Sequence, residues 1–205
     1  MQPGSIKHLV FDMGGVLLNI HWHQQVSRIL GKDIPFEQVH QLWADSKATH
    51  AFEIGELDFE QFTAMFIDEF QLDLNREDFQ EQFRAIVAED FPDSVSLLKH
   101  LRPHFQLSLL SNTNPCHWAM VKARESFLPL IHNPFTSLDF GVMKPDPTIY
   151  RKLLEALDAP PEAVLFFDDG LKNVEAALAL GIEAERVYNP EGVKAALVRR
   201  GLWPV

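Results

Sequence analysis

The amino-acid sequence predicts a three-layer α/β fold, in which helices cover both faces of a central parallel sheet and a helical segment is inserted after the first strand. Short apolar runs rich in branched and aromatic residues predict buried strands over residues 6–11, 105–110, 135–138 and 164–167. Helical patterns alternate with these runs over residues 94–101, 115–127, 147–157 and 171–180. This alternation is typical of a parallel sheet, whose ligands bind at the carboxyl ends of the strands.

The insertion is predicted between the first strand and Asp90, where the pattern is helical only, because apolar residues recur at spacings of three and four. We interpret these residues as core packing: Phe59, Phe62, Phe66, Phe70, Phe79, Phe83, Ile86 and Val87. Asp58 and Gln61 have the spacing of a capping box, and Gly55 suits a break between helices. The sequence therefore predicts a core of residues 1–18 and 91–205 and a cap of residues 19–90 that closes over the strand ends.

The composition limits the classes of partner. With 205 residues, of which 46% are hydrophobic, the chain can bury one core and carry a small accessory domain. It has 18 basic and 29 acidic residues, and the resulting net charge of -11 argues against nucleic acid or an anionic membrane as a partner. A small anionic substrate remains compatible with this charge, because the local charge in a pocket matters more than the total.

The cellular location is predicted from the single cysteine and the lack of targeting segments. Cys116 cannot form an internal disulfide, which fits a reducing cytoplasm, and we interpret it as a partly buried thiol. The first five residues lack the basic and apolar regions of a signal peptide, and the apolar runs are too short to span a bilayer. We expect a soluble cytoplasmic protein that is a monomer or a weak homodimer.

Carboxylates end two of the predicted strands. Asp12 follows the first strand, and Gly14 and Gly15 let the backbone turn sharply and approach a ligand. Asp168 and Asp169 end the last predicted strand, and two adjacent acids repel each other unless a cation or hydrogen bonds offset the repulsion. Such oxygen ligands suit Mg²⁺. Either acid can also cap the following helix, a role that is compatible with metal binding.

Groups that suit an anion lie at the neighbouring strand ends. Ser111 and Asn112 end the middle strand just before a helix that starts near Pro115, and a helix N-terminus favours anions. Lys144 lies in a proline-bounded loop and can supply a compact positive charge. A carboxylate that attacks a phosphate dianion needs neutralisation, in-line positioning and hydrogen bonds to the equatorial oxygens. These residue types together predict phosphoryl transfer at the sheet edge.

Four segments in order resemble the motifs of the haloacid dehalogenase superfamily. They are Phe-Asp-Met-Gly-Gly-Val around Asp12, Leu-Leu-Ser-Asn-Thr-Asn around Ser111, Lys-Pro-Asp-Pro from Lys144, and Phe-Phe-Asp-Asp-Gly before Asn173. The resemblance spans nearly the whole chain. The second motif, with His117 downstream, and the Asp-x-Gly first motif are most similar to the alpha-D-glucose-1-phosphate phosphatase-like subgroup.

The resemblance implies a Rossmannoid sheet with a Mg²⁺ site. Asp12 would be both the nucleophile and a metal ligand, and the carbonyl group of Gly14 would be a second ligand. Asp169 would be the third ligand, and Asp168 is the next candidate for that role. Asn173 would orient this acidic loop.

The resemblance also implies how substrate is held. Ser111 and the amide of Asn112 would bind the phosphoryl oxygens, and Lys144 would bridge them to Asp12. The expected enzyme is a Mg²⁺-dependent phosphatase that acts through an aspartyl phosphate on a small phosphorylated metabolite, with a sugar phosphate such as glucose 1-phosphate favoured.

One departure from the family pattern concerns the proton donor. Most phosphatases of the superfamily carry a second Asp two residues after the nucleophile as general acid, and this chain has Gly14 there. General acid catalysis is worth roughly 10²–10⁴-fold, so the substrate has a good leaving group or another residue acts. The candidates for that residue are His21, His23, His117 and Glu53. Specificity is expected from cap residues, including Trp43, His50, Phe52 and Glu53.

Three other functions stay open. A 2-haloacid dehalogenase uses the same Asp nucleophile without a metal, and would have little reason to keep Asp168 and Asp169 together. A catalytically weak protein that binds a phosphorylated ligand is compatible with Gly14. A phosphomutase would move the phosphate rather than release it.

Overall fold

The computed structural model describes residues 6–32 and 35–205 and has a parallel sheet at its centre. The strands are β1 (His8–Phe11), β2 (Leu18–Ile20), β3 (Val87–Asp90), β4 (Gln106–Ser111), β5 (Asn133–Thr136), β6 (Val164–Asp168) and β7 (Glu183–Arg186). The helices are α1 (Trp22–Ile29), α2 (Phe36–Asp45), α3 (Lys47–Glu53), α4 (Phe59–Glu69), α5 (Arg76–Arg84), α6 (Ser94–Leu101), α7 (Pro115–Arg124), α8 (Ser137–Phe140), α9 (Pro147–Leu157), α10 (Leu171–Ala179) and α11 (Asn189–Arg199).

The sheet has the strand order β5-β4-β1-β6-β7, with every neighbouring pair parallel. Leu9 and Phe11 of β1 pack in one hydrophobic cluster, whereas Val10 between them packs in another on the opposite face. Both faces are therefore covered, which explains why the central strands β1 and β6 are largely apolar. The predicted three-layer α/β fold is confirmed.

Some boundaries differ from the sequence prediction. The third predicted strand, over residues 135–138, lies at Asn133–Thr136, because the Thr136 side chain caps α8 in a capping box with Asp139. The helix predicted over residues 115–127 ends at Arg124, where Glu125 has a left-handed φ of 49°. Strand β7 and helix α11 are absent from the prediction. Strand β7 is at the edge of the sheet and carries charged residues, so its apolar signal is weak.

Helices α1–α5 pack around a hydrophobic cluster of their own, and we refer to these helices as the cap. The apolar residues predicted from the sequence pack there, with Phe52 stacked on Phe62 at 4.3 Å between ring centroids. The exception is Val87, which begins β3 and packs in a cluster of the sheet. The capping box of Asp58 and Gln61 is confirmed. The prediction that this segment is only helical is wrong, because β2 and β3 pair as an antiparallel ribbon at its two ends, with Leu18 opposite Asp90.

The remaining expectations concern the membrane and the cysteine. Among the described residues, none of the helices combines the length and the apolar character that a bilayer crossing requires. The five N-terminal residues, on which the signal-peptide prediction depends, lie outside the described residues. Cys116 is half-buried beside the cap cluster, and burial raises the pKa of its thiol, as expected for a structural cysteine.

The cap cluster supports a stability prediction. Phe62 is fully buried among aromatic rings, so Phe62→Ala should lower the free energy of unfolding by about 3–5 kcal/mol, through lost burial and a residual cavity. Met65 lies on the same helix but is 38% exposed, and Met65→Ala should change stability by about 0.5 kcal/mol or less. Urea denaturation measures both. Equal losses in the two variants would contradict the packing described.

Candidate active site

The predicted acids converge at the carboxyl end of the sheet. Asp12 follows β1 and Asp168 ends β6, and these two strands are hydrogen-bonded neighbours with Phe11 opposite Phe167. Each of Asp12, Asp168 and Asp169 offers an oxygen atom within 4.8 Å of the others. Parallel pairing thus turns two distant sequence motifs into one cluster of carboxylates.

Lys144 lies between two of these acids. Its Nζ is 2.8 Å from Oδ1 of Asp12 and 2.6 Å from Oδ2 of Asp168, and its side chain is 1% exposed. Burial by itself lowers the pKa of Lys144, but the two carboxylates outweigh burial and raise it. The ammonium group is therefore charged and offsets part of the repulsion between the acids.

Asp168 and Asp169 have different surroundings. Asp168 accepts hydrogen bonds at Oδ1 from the Gly170 N–H group (2.7 Å) and the Asn173 side chain (2.9 Å), while Oδ2 faces Lys144. Both of its oxygens are therefore occupied by protein donors. Helix α10 begins after Gly170 without a side-chain cap, so the alternative of a helix-capping aspartate is wrong. The pKa of Asp169 is raised by burial and by Asp168, and Lys144 opposes this shift.

Glycine is required beside the acidic loop. Gly15 has a φ of +73°, and a Cβ atom built there would lie 2.6 Å from Oδ2 of Asp169. The turn that follows Asp12 therefore approaches the acids more closely than a side chain would permit.

The ionisation of Asp12 depends on this environment. The pKa of Asp12 is raised to about 7, because burial and the neighbouring Asp168 and Asp169 together outweigh the lowering effect of Lys144. A divalent cation beside the cluster would favour the ionised form of this carboxyl group. Clustered carboxylate oxygens are the type of ligand that Mg²⁺ prefers, so the residues present fit such an ion.

The Asn112 side chain has a contact that the sequence did not predict. Its Nδ2 donates to the Lys144 carbonyl group at 2.9 Å, and its Oδ1 accepts from the Lys144 N–H group at 2.8 Å. This paired hydrogen bond holds the Lys144 loop against the end of β4. Ser111 is buried at the same strand end, and both Ser111 and Asn112 line the pocket above the acids.

The opposite wall of the pocket comes from residues near or within the cap. These residues are Leu18, Ile20, Trp22, Trp43, Glu53, Ile86 and Val87. Of the residues predicted to set specificity, Trp43 and Glu53 line the pocket, whereas Phe52 packs in the cap core and His50 is exposed. Trp22 and Ile20 were not predicted, because apolar residues at helical or strand spacing carry no signal that separates a pocket wall from a core.

The histidines considered as proton donors either lie outside the pocket or make structural hydrogen bonds. His21 and His23 do not line the pocket. His117 lines it but is buried, with Nε2 donating to the Phe83 carbonyl group at 2.8 Å and Nδ1 accepting from Asn114 at 3.0 Å. Its ring stacks on Phe83 at 4.5 Å, and burial lowers the pKa of His117 to about 4. This geometry supports a neutral, structural histidine that joins α7 to the cap.

The fold and this site agree with a family assignment. A family profile described as haloacid dehalogenase-like hydrolase matches residues 6–181. The chain therefore belongs to the haloacid dehalogenase-like hydrolases. The family and the enzyme class predicted from the motifs are confirmed.

Curated relatives align over almost the whole chain. D-ribitol-5-phosphate phosphatase of Bacteroides thetaiotaomicron is 26% identical, over 91% of this chain and 92% of its own length. Phosphatase MT3486 of Mycobacterium tuberculosis is 27% identical, over 95% of this chain and 93% of its own length. A crystal structure of a family enzyme from B. thetaiotaomicron, in complex with magnesium and inorganic phosphate, has a TM-score of 0.73 at 22% identity, covering 89% of this chain and 94% of that one. This likeness establishes a shared fold.

The buried ammonium group leads to a prediction. In Lys144→Met, Asp12 and Asp168 face each other without the intervening cation, and the free energy of unfolding measured in EDTA should fall by about 3–5 kcal/mol. Lys152 is an exposed lysine that donates to the Phe140 carbonyl group, and Lys152→Met should cost about 1 kcal/mol at most. A Lys144→Met protein as stable as the wild type would contradict the described charge pairing.

The depressed pKa of His117 predicts a pH-dependent stability. The unfolded chain binds a proton at His117 near pH 6.5, and the folded protein binds it only near pH 4. The contribution of the neutral ring to the free energy of unfolding is therefore complete above pH 6.5 and is lost as the pH falls toward 4. The slope approaches about 1.4 kcal/mol per pH unit in this window. His117→Gln should flatten this slope in denaturant titrations, whereas His50→Gln, at an exposed position, should leave it unchanged. Identical slopes in wild type and His117→Gln would rule out a neutral His117.

Proposed function

We propose that the chain is a Mg²⁺-dependent phosphatase that hydrolyses a small phosphorylated metabolite through an aspartyl phosphate at Asp12. The observation that carries the proposal is the buried cluster of Asp12, Asp168 and Asp169 with the Lys144 ammonium group between the first two. Such a site can neutralise a phosphate dianion while a carboxylate attacks it. Hydrolysis of a phosphoric monoester agrees with the named activity of the curated relatives.

The metal would be held by Asp12, the carbonyl group of Gly14 and Asp169. Asp168 fits less well as a direct ligand, because Lys144, Gly170 and Asn173 already occupy its oxygens. It would instead hold Lys144 in place. When bound, Mg²⁺ supplies positive charge that offsets the phosphoryl oxygens and the neighbouring carboxylates. The solved relative with magnesium and inorganic phosphate supports this choice of ion.

The other residues would position the substrate. The Ser111 hydroxyl group and the Asn112 backbone N–H group would bind phosphoryl oxygens, and Lys144 would bridge the phosphoryl group and Asp12. Residues 19–90 would act as a lid that excludes water from the reacting groups. Trp22 and Trp43 on the cap side give the pocket aromatic walls, which suit a small organic group. A sugar phosphate such as glucose 1-phosphate, or the phosphate of a related polyol, is the favoured substrate.

One alternative is favoured by a specific residue. Gly14 stands where most phosphatases of the family carry the general acid, which would suit a protein that binds a phosphorylated ligand with little turnover. A metal-independent dehalogenase is disfavoured, since it has little use for the grouped acids. Binding of a phosphate analogue without release of phosphate from a panel of metabolites would support the first alternative. Halide release in EDTA would support the second.

The proposal predicts the response to metal and to loss of the nucleophile. Phosphate release from a panel of sugar and polyol phosphates should require Mg²⁺, stop in EDTA and return when Mg²⁺ is added. Asp12→Asn removes the attacking carboxylate and should lower kcat on the order of 10³-fold or more. Asp158→Asn, at an exposed left-handed position that asparagine also tolerates, serves as the control and should leave kcat unchanged. Full activity in Asp12→Asn would remove this mechanism.

A further inference from the structure

Glu53 is the acid that the cap contributes to the pocket. Among the described residues that line the pocket, the carboxylic acids are Asp12, Asp169 and Glu53. The first two lie at strand ends, whereas Glu53 is the last residue of α3, on the cap side. We propose that Glu53 donates the proton to the leaving group, in place of the aspartate that is absent at Gly14. This inference rests on the proposed phosphatase activity.

The carboxyl group of Glu53 is held by a directional contact. Trp43 Nε1 donates a hydrogen bond to Oε1 of Glu53 at 3.2 Å, and Trp43 lines the same pocket. Because Oε1 accepts this bond, the proton of the carboxylic acid is favoured on Oε2. The Trp43 hydrogen bond thus favours one of the two carboxyl oxygens as the donor of the proton.

The backbone of Glu53 is tied to the phosphate side of the site. The Ser137 hydroxyl group donates to the Glu53 carbonyl oxygen at 2.6 Å. The Ser137 Oγ atom in turn accepts a hydrogen bond from the Thr113 N–H group at 3.1 Å. Thr113 follows Ser111 and Asn112, the residues proposed to hold the phosphoryl oxygens. One hydroxyl group therefore links the segment that carries the proposed acid to the loop that would hold the phosphate.

The protonation state is compatible with this role. Burial raises the pKa of Glu53 to about 7, and the Trp43 hydrogen bond opposes the shift. A substantial fraction of the carboxyl group is then protonated at neutral pH, as an acid catalyst requires. The other titratable groups that line the pocket are Asp12, Asp169, Lys144 and His117. Of these, Lys144 is paired with acids and His117 donates to a carbonyl group.

Glu53 gives up a proton in the first step of the reaction and regains one in the second. A carboxylate oxygen of Asp12 forms a bond to phosphorus, the bond to the leaving oxygen breaks, and the Glu53 proton moves to that oxygen, so an alcohol departs. Water then attacks the aspartyl phosphate, and ionised Glu53 accepts a proton from this water. The bond between phosphorus and Asp12 breaks, which releases inorganic phosphate and restores both acids to their starting states.

The test compares leaving groups that differ in their need for a proton. Glu53→Gln keeps the size of the side chain and an acceptor for Trp43 but removes the acidic proton. Rapid-quench measurement of enzyme phosphorylation in Mg²⁺ should show a loss of about 10²–10⁴-fold with ribitol 5-phosphate or another alkyl phosphate that the wild type cleaves. The leaving group of 2,4-dinitrophenyl phosphate departs as an anion and needs no proton. With this substrate the rate of enzyme phosphorylation should change by less than about tenfold. Glu56→Gln, at an exposed position on the same segment, is the matched control and should behave as wild type.

Each other outcome has a distinct meaning. Equal losses with both leaving groups, or no loss with either, would overturn the role of Glu53 as proton donor. A wild type that forms no phosphoryl-enzyme with any substrate would reject the proposed phosphatase instead. If Glu53→Gln does not fold, Glu53→Asp keeps an acid on a shorter side chain. Its rate of enzyme phosphorylation should fall with the alkyl phosphate and stay near that of the wild type with the aryl phosphate. An equal loss with both substrates would again overturn the proposal.

Discussion

The buried ion pair of Lys144 with Asp12 and Asp168 is the interaction on which the rest of the site depends. Carboxylates that end adjacent strands repel each other in a region from which water is largely excluded, and a single ammonium group between them reduces that cost. The lysine reaches this position because the Asn112 side chain holds its backbone through two hydrogen bonds. Asp12 and the acidic loop are therefore placed jointly, through a residue from a third segment of the chain.

The second constraint is the contact between the cap and the sheet. The cap has its own aromatic core, yet two hydrogen bonds connect it to the segments that surround the sheet. His117 bonds to the Phe83 carbonyl group, and Ser137 bonds to the Glu53 carbonyl group. These bonds join backbone carbonyl groups of the cap to side chains that follow β4 and β5. The pocket consequently has a charged floor from strand ends and a largely apolar wall from the cap side, with Glu53 as the acid on that wall. This division suits a reaction in which the sheet binds the phosphoryl group and the cap meets the leaving group.

Strands β1, β4 and β6 were predictable because they are buried on both faces, so most of their residues are apolar. Strand β7 was not predictable, since its charged residues find partners such as Arg200 with Glu183 at the sheet edge. The ribbon of β2 and β3 was missed because each strand has one buried residue, so no apolar run marks it. Likewise, Phe52 and Trp43 have similar aromatic signals, and only packing places one in the cap core and the other in the pocket.

The sequence by itself determined the fold class, the family and the candidate residues Asp12, Ser111, Lys144, Asp168 and Asp169, because these depend on local patterns at the ends of apolar runs. The tertiary structure decided how those residues differ. It separated Asp168, whose oxygens are occupied, from Asp169, and it showed the Asn112 side chain holding the Lys144 loop. It also placed Glu53 in the pocket and committed His117 to Phe83. Such distinctions depend on which groups from distant segments meet in space, and burial and hydrogen bonding there set their chemistry.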